Sequence, residues 1–400
     1  MQTNNIAVIG GGAAGLTAAI SAAMHGADVT VYEGGERCGK KILMTGNGRC
    51  NLTNTNAAPE HYHGGNVSFM NDTISAFWVD ETLEFFADMG LITKEEEDGR
   101  VYPYVNQAAA VLDILRLRLD ALGVKTVTAF EVQSVRKSKD GFVITSYDKK
   151  QAKAGKVIIA TGGKAAPQTG SKGGGYDILK SLGHTITKTR PSLVQIKTEP
   201  DIVRKLKGIK ADAKVSIDGH SEKGEVLFTD YGLSGIAVFS ITAYLTNQKT
   251  ISLDLMSGIS EDTLYEMLCM RAAQNPNITF ENFLVGMVNK RIGQVILKQI
   301  GIEPLSRRAA TLTDSDIKKL ARTIKNWQFK IEGTMSWNNA QVTKGGAHTT
   351  EFNPKTMESR LESSVYAAGE VLDIDGDCGG YNLQWAWSSG YIAGKSAAGK

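Results

Sequence analysis

Cysteine is scarce in this chain. Cys38, Cys50, Cys269 and Cys378 are the only four in 400 residues, and none falls in a C-x-x-C pair or a secreted-framework spacing. That excludes a disulfide-stapled scaffold and fits a reducing, cytoplasmic setting. It also argues against thiol–disulfide chemistry, because Cys38 and Cys50 are separated by loop. Beyond the first 33 residues, no stretch approaches the ~18 uninterrupted apolar residues of a membrane span. Charge of one sign is lacking too: 45 Lys and Arg against 42 Asp and Glu leave a net +3, which offers no field for nucleic acid or a membrane surface. No repeat of fixed period and no low-complexity tail interrupts the text. What remains is a chain of two or three modules with ample length for a core, whose expected partner is a small molecule.

Glycine, in contrast, is abundant. The 43 glycines cluster at 10–15, 46–48, 162–175 and 369–380, a distribution that suggests loops lying against a ligand. The first cluster sits in IAVIGGGAAGLTAAISAAMHGADVTVYE, residues 6–33. Ile6–Ile9 reads as a buried parallel strand, Ala13–Met24 as a helix, and Asp28–Tyr32 as a second strand ending at Glu33. Gly10, Gly12 and Gly15 form G-x-G-x-x-G in the setting that gives the motif meaning: a tight turn, a close backbone approach, and tight helix–strand packing. Ala13 and Ala14 open a helix whose free N–H groups face a pyrophosphate, and Glu33 is placed for a ribose. An ADP-containing dinucleotide is expected. A secretory signal is the competing reading of this apolar stretch, but no Lys or Arg precedes it and adjacent glycines would break it.

Gly34–Asn54 then reads as a long functional loop, with Lys41 among its phosphate-neutralising residues and Asn47, Gly48, Arg49, Cys50 and Asn51 in TGNGRCN. Cys50 reads as a small buried filler rather than a redox group. Residues 66–90 and 108–122 read as amphipathic helices, followed by strands at 124–127, 129–136 and 141–147, with Val132 able to touch an adenine edge. Lys156–Ala160 is a buried strand running into Thr161, Gly162 and Gly163. From residue 190 short alternating stretches imply a β-rich insertion, 191–256, and then a helical one, 257–334. The chain closes with QVTKGGAH, a strand into Gly369 and Glu370, and DIDGDCGGYNLQWAW before a small-residue helix. DIDGD lacks the Gly and the twelfth-position Glu of a calcium loop, so no metal site is expected. Gly369–Glu370 instead suits the ribityl and phosphate part of a flavin. Gly379, Gly380, Tyr381 and Asn382 open a helix whose positive end would stabilise a reduced flavin's negative charge.

Together, TGNGRCNLTN, KVIIATGG, PQTGSKGGGY, GEVLFTDYGLSG, QVTKGGA and GEVLDIDGDCGGYNLQWAWSSG resemble the BaiN/RdsA-like family of bacterial NAD(P)/FAD-dependent oxidoreductases. The resemblance spans the chain and implies an α/β, Rossmann-like FAD domain (1–190 and 335–400) of the two-dinucleotide-binding type, carrying a β-barrel-like part and a helical part. It implies FAD at Gly10–Gly15, Glu33, Asn47–Asn51, Thr161–Gly163, Gly369–Glu370 and Asn382–Gln384. TGNGRC stands where SGGGRC is the more usual text, which favours backbone over side-chain contacts at Asn47. The activity implied is hydride transfer through flavin N5, with NAD(P)H as a transient donor and an enone C=C bond as acceptor. Aminoacetone-type amine oxidation with dioxygen and an RNA-modifying or RNA-binding flavoprotein are the alternatives. A proton donor is needed for C=C reduction, and His348 and Tyr231 are the candidates because each sits in Gly-rich, motif-like text.

Overall fold

The computed structural model describes residues 5–399, which divide into two compact units, 5–192 with 337–399, and 193–336. The larger unit is built on a five-stranded sheet in the order Val365–Ala367, Lys156–Ile159, Asn5–Ile9, Asp28–Tyr32 and Lys125–Val127, with every pairing parallel. The central strand, Asn5–Ile9, is buried on both faces, which explains its unbroken apolar text. Two helices cover it, Ala13–Met24 and the C-terminal helix Tyr381–Ala397. These pack so closely that a Cβ at Gly390 would lie 2.4 Å from the Ala14 carbonyl oxygen, and one at Gly394 would lie 2.2 Å from that of Ala18. The small residues that end the chain are therefore a contact surface between backbones.

Around this sheet lie an antiparallel sheet of three strands, Val132–Ser138, Gly141–Ser146 and Gln151–Ala154, and three smaller sheets. One joins Arg190–Ser192 to Val342–Lys344, and another joins Tyr62–His63 to Asp375–Gly376. The single amphipathic helix expected over 66–90 is two helices, Met70–Ala76 and Val79–Asp88. Phe77 breaks it by adopting an extended backbone, and its buried ring stacks on Tyr391 at 4.1 Å. The second helix restarts with the Glu81 carboxylate accepting the Trp78 N–H at 2.8 Å. Tertiary aromatic packing overrides local helical pattern here.

The smaller unit is a closed six-stranded barrel with helices beside it. In barrel order the strands are Ile196–Thr198, Gly232–Ser234, His220–Phe228, Lys210–Ile217, Thr250–Asp254 and Trp327–Thr334. The helical stretch stops earlier than 334: its helices are Glu261–Gln274, Lys290–Gln299 and Asp314–Lys325. The last strand, WQFKIEGT, alternates buried and exposed residues and turns Trp327 and Phe329 onto Phe228 inside the unit. It closes the barrel some 70 residues after the others, beyond the reach of any local pattern. Among the described residues no helix is long and apolar enough to cross a membrane.

Candidate active site

Gly10 ends the central strand at φ +105, and a Cβ there would lie 2.4 Å from the Ala160 carbonyl oxygen. At Gly15 a Cβ would lie 1.9 Å from the Gly10 carbonyl oxygen. Both glycines are demanded by the chain's own packing. Gly12 is different. Its backbone is extended at φ −86, and a Cβ would meet nothing within 4 Å. The protein itself leaves that space open, at the N-terminus of a helix with no side-chain cap. Glu33 leans back over the same turn, its two oxygens accepting the N–H groups of Gly11 at 2.8 Å and Gly35 at 2.7 Å. Gly34 packs against Glu131, and Val132, buried, begins the neighbouring strand.

From this turn a continuous track leads across the sheet ends. Thr161 follows the strand beside Gly10, and Gly163 is pressed against Thr343 and Glu370. The Glu370 carboxylate accepts the Thr343 N–H at 2.7 Å and pairs with the Lys41 ammonium at 2.7 Å, so Lys41 and Glu370 meet although 329 residues separate them. Gly369 sits over Ala14 in the turn that follows the strand. The track ends at the start of the C-terminal helix. There Gly380, at φ +106, lets the chain pass under Thr53 and Asn51; a Cβ would lie 2.5 Å from the Thr53 carbonyl oxygen. No side chain caps this helix and no acid stands in its first turn. Beside it, the side-chain oxygen of buried Asn51 has no hydrogen-bond partner.

An open helix start at Gly12, a second uncapped one at Gly380 and an orphaned acceptor at Asn51 are incomplete without a ligand that is anionic at one end and carries N–H or O–H donors at the other. FAD fits that description, with its pyrophosphate and its ring. Other candidates have side chains engaged by the protein. Arg49 donates to Asn106 and Glu96 and lies 4.0 Å over the Tyr102 ring. Gln384 is fully buried, bonded to Thr53, Thr82 and Ser388. Asn382 clamps the preceding loop, donating to the carbonyls of Gly376 and Asp377 and accepting the Gly376 N–H at 2.8 Å. Asn47 and Cys50 take left-handed backbone at φ 56 and 60, which shapes the loop. The Cys50 thiol is pushed up to about 12 by burial, so it is inert at neutral pH. Gly48 and Leu383 flank the same two turns.

The two expected proton donors lie in different units. His348 bonds Thr350 through Nδ1 at 2.7 Å and Thr185 through its backbone, and Tyr231 lies in a turn of the barrel unit. The structure also gathers groups to which the sequence reading gave no proton-handling role. The Asp377 carboxylate bridges His61, at 3.1 Å, and His63, at 2.7 Å, while His61 stacks on Tyr381 at 4.5 Å. The strand of two residues that carries Tyr62 and His63 is too short to leave a periodic signal.

Residues 4–396 match the model of the HI0933-like protein Rossmann domain. The chain belongs to that family. It is 39% identical to the 3-dehydro-bile acid delta(4,6)-reductase of Clostridium scindens, over 99% of each chain. It is 31% identical to the ribosomal RNA dihydrouridine synthase of Haemophilus influenzae, over 97% of each. Among solved structures it resembles the 3-ketosteroid-delta4-(5alpha)-dehydrogenase of Rhodococcus jostii, with a TM-score of 0.50, 17% identity, and coverage of 99% of this chain and 96% of that one; this likeness shows the fold. As an HI0933-like protein the chain is an FAD-dependent oxidoreductase on a Rossmann-type fold.

Proposed function

We propose that this HI0933-like protein reduces a C=C bond conjugated to a carbonyl in a small, apolar, steroid-like substrate, with NAD(P)H as the transient hydride donor. The observation that carries the reading is the end-to-end 39% identity to a bile-acid reductase. FAD supplies the hydride relay between donor and substrate. The chain's part is to bind and orient it: the Gly12 helix start takes the pyrophosphate, Glu33 the adenosine ribose, and Glu370 with Lys41 the ribityl and phosphate region. The C-terminal helix start, with Asn51 beside it, holds the pyrimidine edge of the ring, where aligned N–H groups favour negative charge.

A second reading has a specific observation behind it, the 31% relation to ribosomal RNA dihydrouridine synthases. Forming dihydrouridine also saturates a C=C bond conjugated to a carbonyl, so the reaction class is common to both readings and only the carrier of the double bond differs. Anaerobic stopped-flow mixing with NADH or NADPH should bleach the flavin absorbance. A 3-oxo-4-ene steroid should then restore it faster than dioxygen does. Restoration by unmodified ribosomal RNA and not by the steroid selects the second reading. Bleaching by an amine but by neither nicotinamide would overturn both in favour of amine oxidation.

A further inference from the structure

Asp375 is the most unusual ionisable group in the larger unit. It is 1% exposed, yet neither carboxylate oxygen has a hydrogen-bond partner. Other acids of this unit accept backbone N–H groups: Glu33 from Gly11 and Gly35, Glu351 from Thr185, Asp373 from Gly65. Asp375 has no such donor, so nothing bonded to it must break when it gains a proton. It lies in the short strand beside the C-terminal helix start, opposite His63 and one residue before the loop clamped by Asn382. The charges that act on it are Lys344, His63, Asp373 and Glu370; the helix brings no acid in its first turn. Burial dominates and pushes its carboxyl up to about 7, with Lys344 opposing. Lys344, from the strand paired with Arg190–Ser192, is itself pushed down by burial.

We propose that Asp375 is a redox-linked proton acceptor: it takes a proton from solvent when the bound cofactor is reduced and returns it on reoxidation. Reduction places two electrons and one proton on the cofactor and leaves one extra negative charge at the helix start. The second proton, on Asp375, cancels that charge; on reoxidation the electron pair leaves with the cofactor's one proton, and Asp375 returns its own proton to solvent. The inference rests on the placement of the flavin ring at this helix start. It needs no particular substrate.

The test is a spectroelectrochemical titration of the FAD-loaded protein across about pH 5–9, comparing wild type with Asp375→Asn. A two-electron couple moves about 30 mV per tenfold change, hence about 30 mV per pH unit with one proton and about 60 with two. Wild type should show the steeper slope around neutral pH, and D375N the shallower one throughout. A wild-type slope of about 30 mV throughout, or a steep region unchanged in D375N, overturns the proposal. At about pH 9, where Asp375 is charged, D375N should also raise the midpoint by removing a nearby negative charge. A raised midpoint with unchanged slope means that the ring is near and no proton is taken up. No change in either means that the ring lies elsewhere. If D375N does not hold FAD, Asp375→Glu must move the pH of the break, and an unmoved break overturns the assignment. Failure to reduce an enone, by contrast, bears on the proposed substrate alone.

Discussion

Gly12→Val separates the needs of the protein from the needs of its cofactor. A Cβ at Gly12 meets nothing within 4 Å, and the backbone at φ −86, ψ −169 is extended and open to any residue. The apoprotein should therefore lose no more than about 1 kcal/mol, mostly the poorer helix start that valine makes compared with glycine. FAD should suffer far more. The valine methyls occupy the space at the helix start, and two charge-assisted hydrogen bonds at about 1.5–3 kcal/mol each are lost. That is about 3–6 kcal/mol, or roughly a hundred-fold to ten-thousand-fold in affinity. The measurements are thermal unfolding of both apoproteins and a titration of each with FAD, followed by flavin fluorescence. The expected pattern is near-equal apoprotein unfolding and nearly abolished binding. Gly10→Ala and Gly15→Ala are the contrast, since their Cβ atoms would lie 2.4 Å and 1.9 Å from backbone oxygens, and both should destabilise the apoprotein itself. If Gly12→Val binds FAD like wild type, the pyrophosphate does not lie at this turn and the reasoning fails.

Glu33→Ala should weaken FAD less than Gly12→Val does; because it also releases the N–H groups of Gly11 and Gly35, apoprotein stability should fall as well, which the same unfolding measurement reads. His184 has a fully buried side chain between Glu351 and Ser359, and burial lowers its pKa from 6.5. The unfolded chain thus binds the proton more readily, so this histidine contributes stability above about pH 6.5 that is lost as pH falls through its folded value. Urea unfolding below neutral pH should show that loss, and His184→Gln should reduce the slope. The Cys38 and Cys50 thiols are pushed up to about 11 and about 12, chiefly by burial, so a thiol reagent should label at most Cys269 and Cys378 before unfolding and all four cysteines after it. Replacing 193–336 by a short linker should leave FAD bound, because the ends meet in the Ser192–Val342 pairing of the larger unit; a well-folded variant that no longer takes up FAD would refute this.

Local text was sufficient for the cofactor end of this protein. A buried parallel strand, a glycine turn and an Ala-rich helix are set by neighbours within a few residues, so Ile6–Glu33 and the glycine clusters were legible, and with them the Rossmann-type fold and the FAD. Two things were not. The barrel closes through Trp327–Thr334, a strand whose alternation is plain but whose partners are distant, and the 66–90 helix breaks at Phe77 because Tyr391 waits for its ring. The second is the chemistry beyond the cofactor. Gly-rich text drew attention to His348 and Tyr231, while folding gathered His61, His63, Lys344, Asp375 and Asp377 at one helix start from three separate strands, the turn before one of them and the loop beyond another. Burial and the absence of donors make Asp375 unusual, and neither is a property of the letters around it. Sequence sets which backbone turns are possible; proton affinity depends on what surrounds a group in space, and only the tertiary structure decides that.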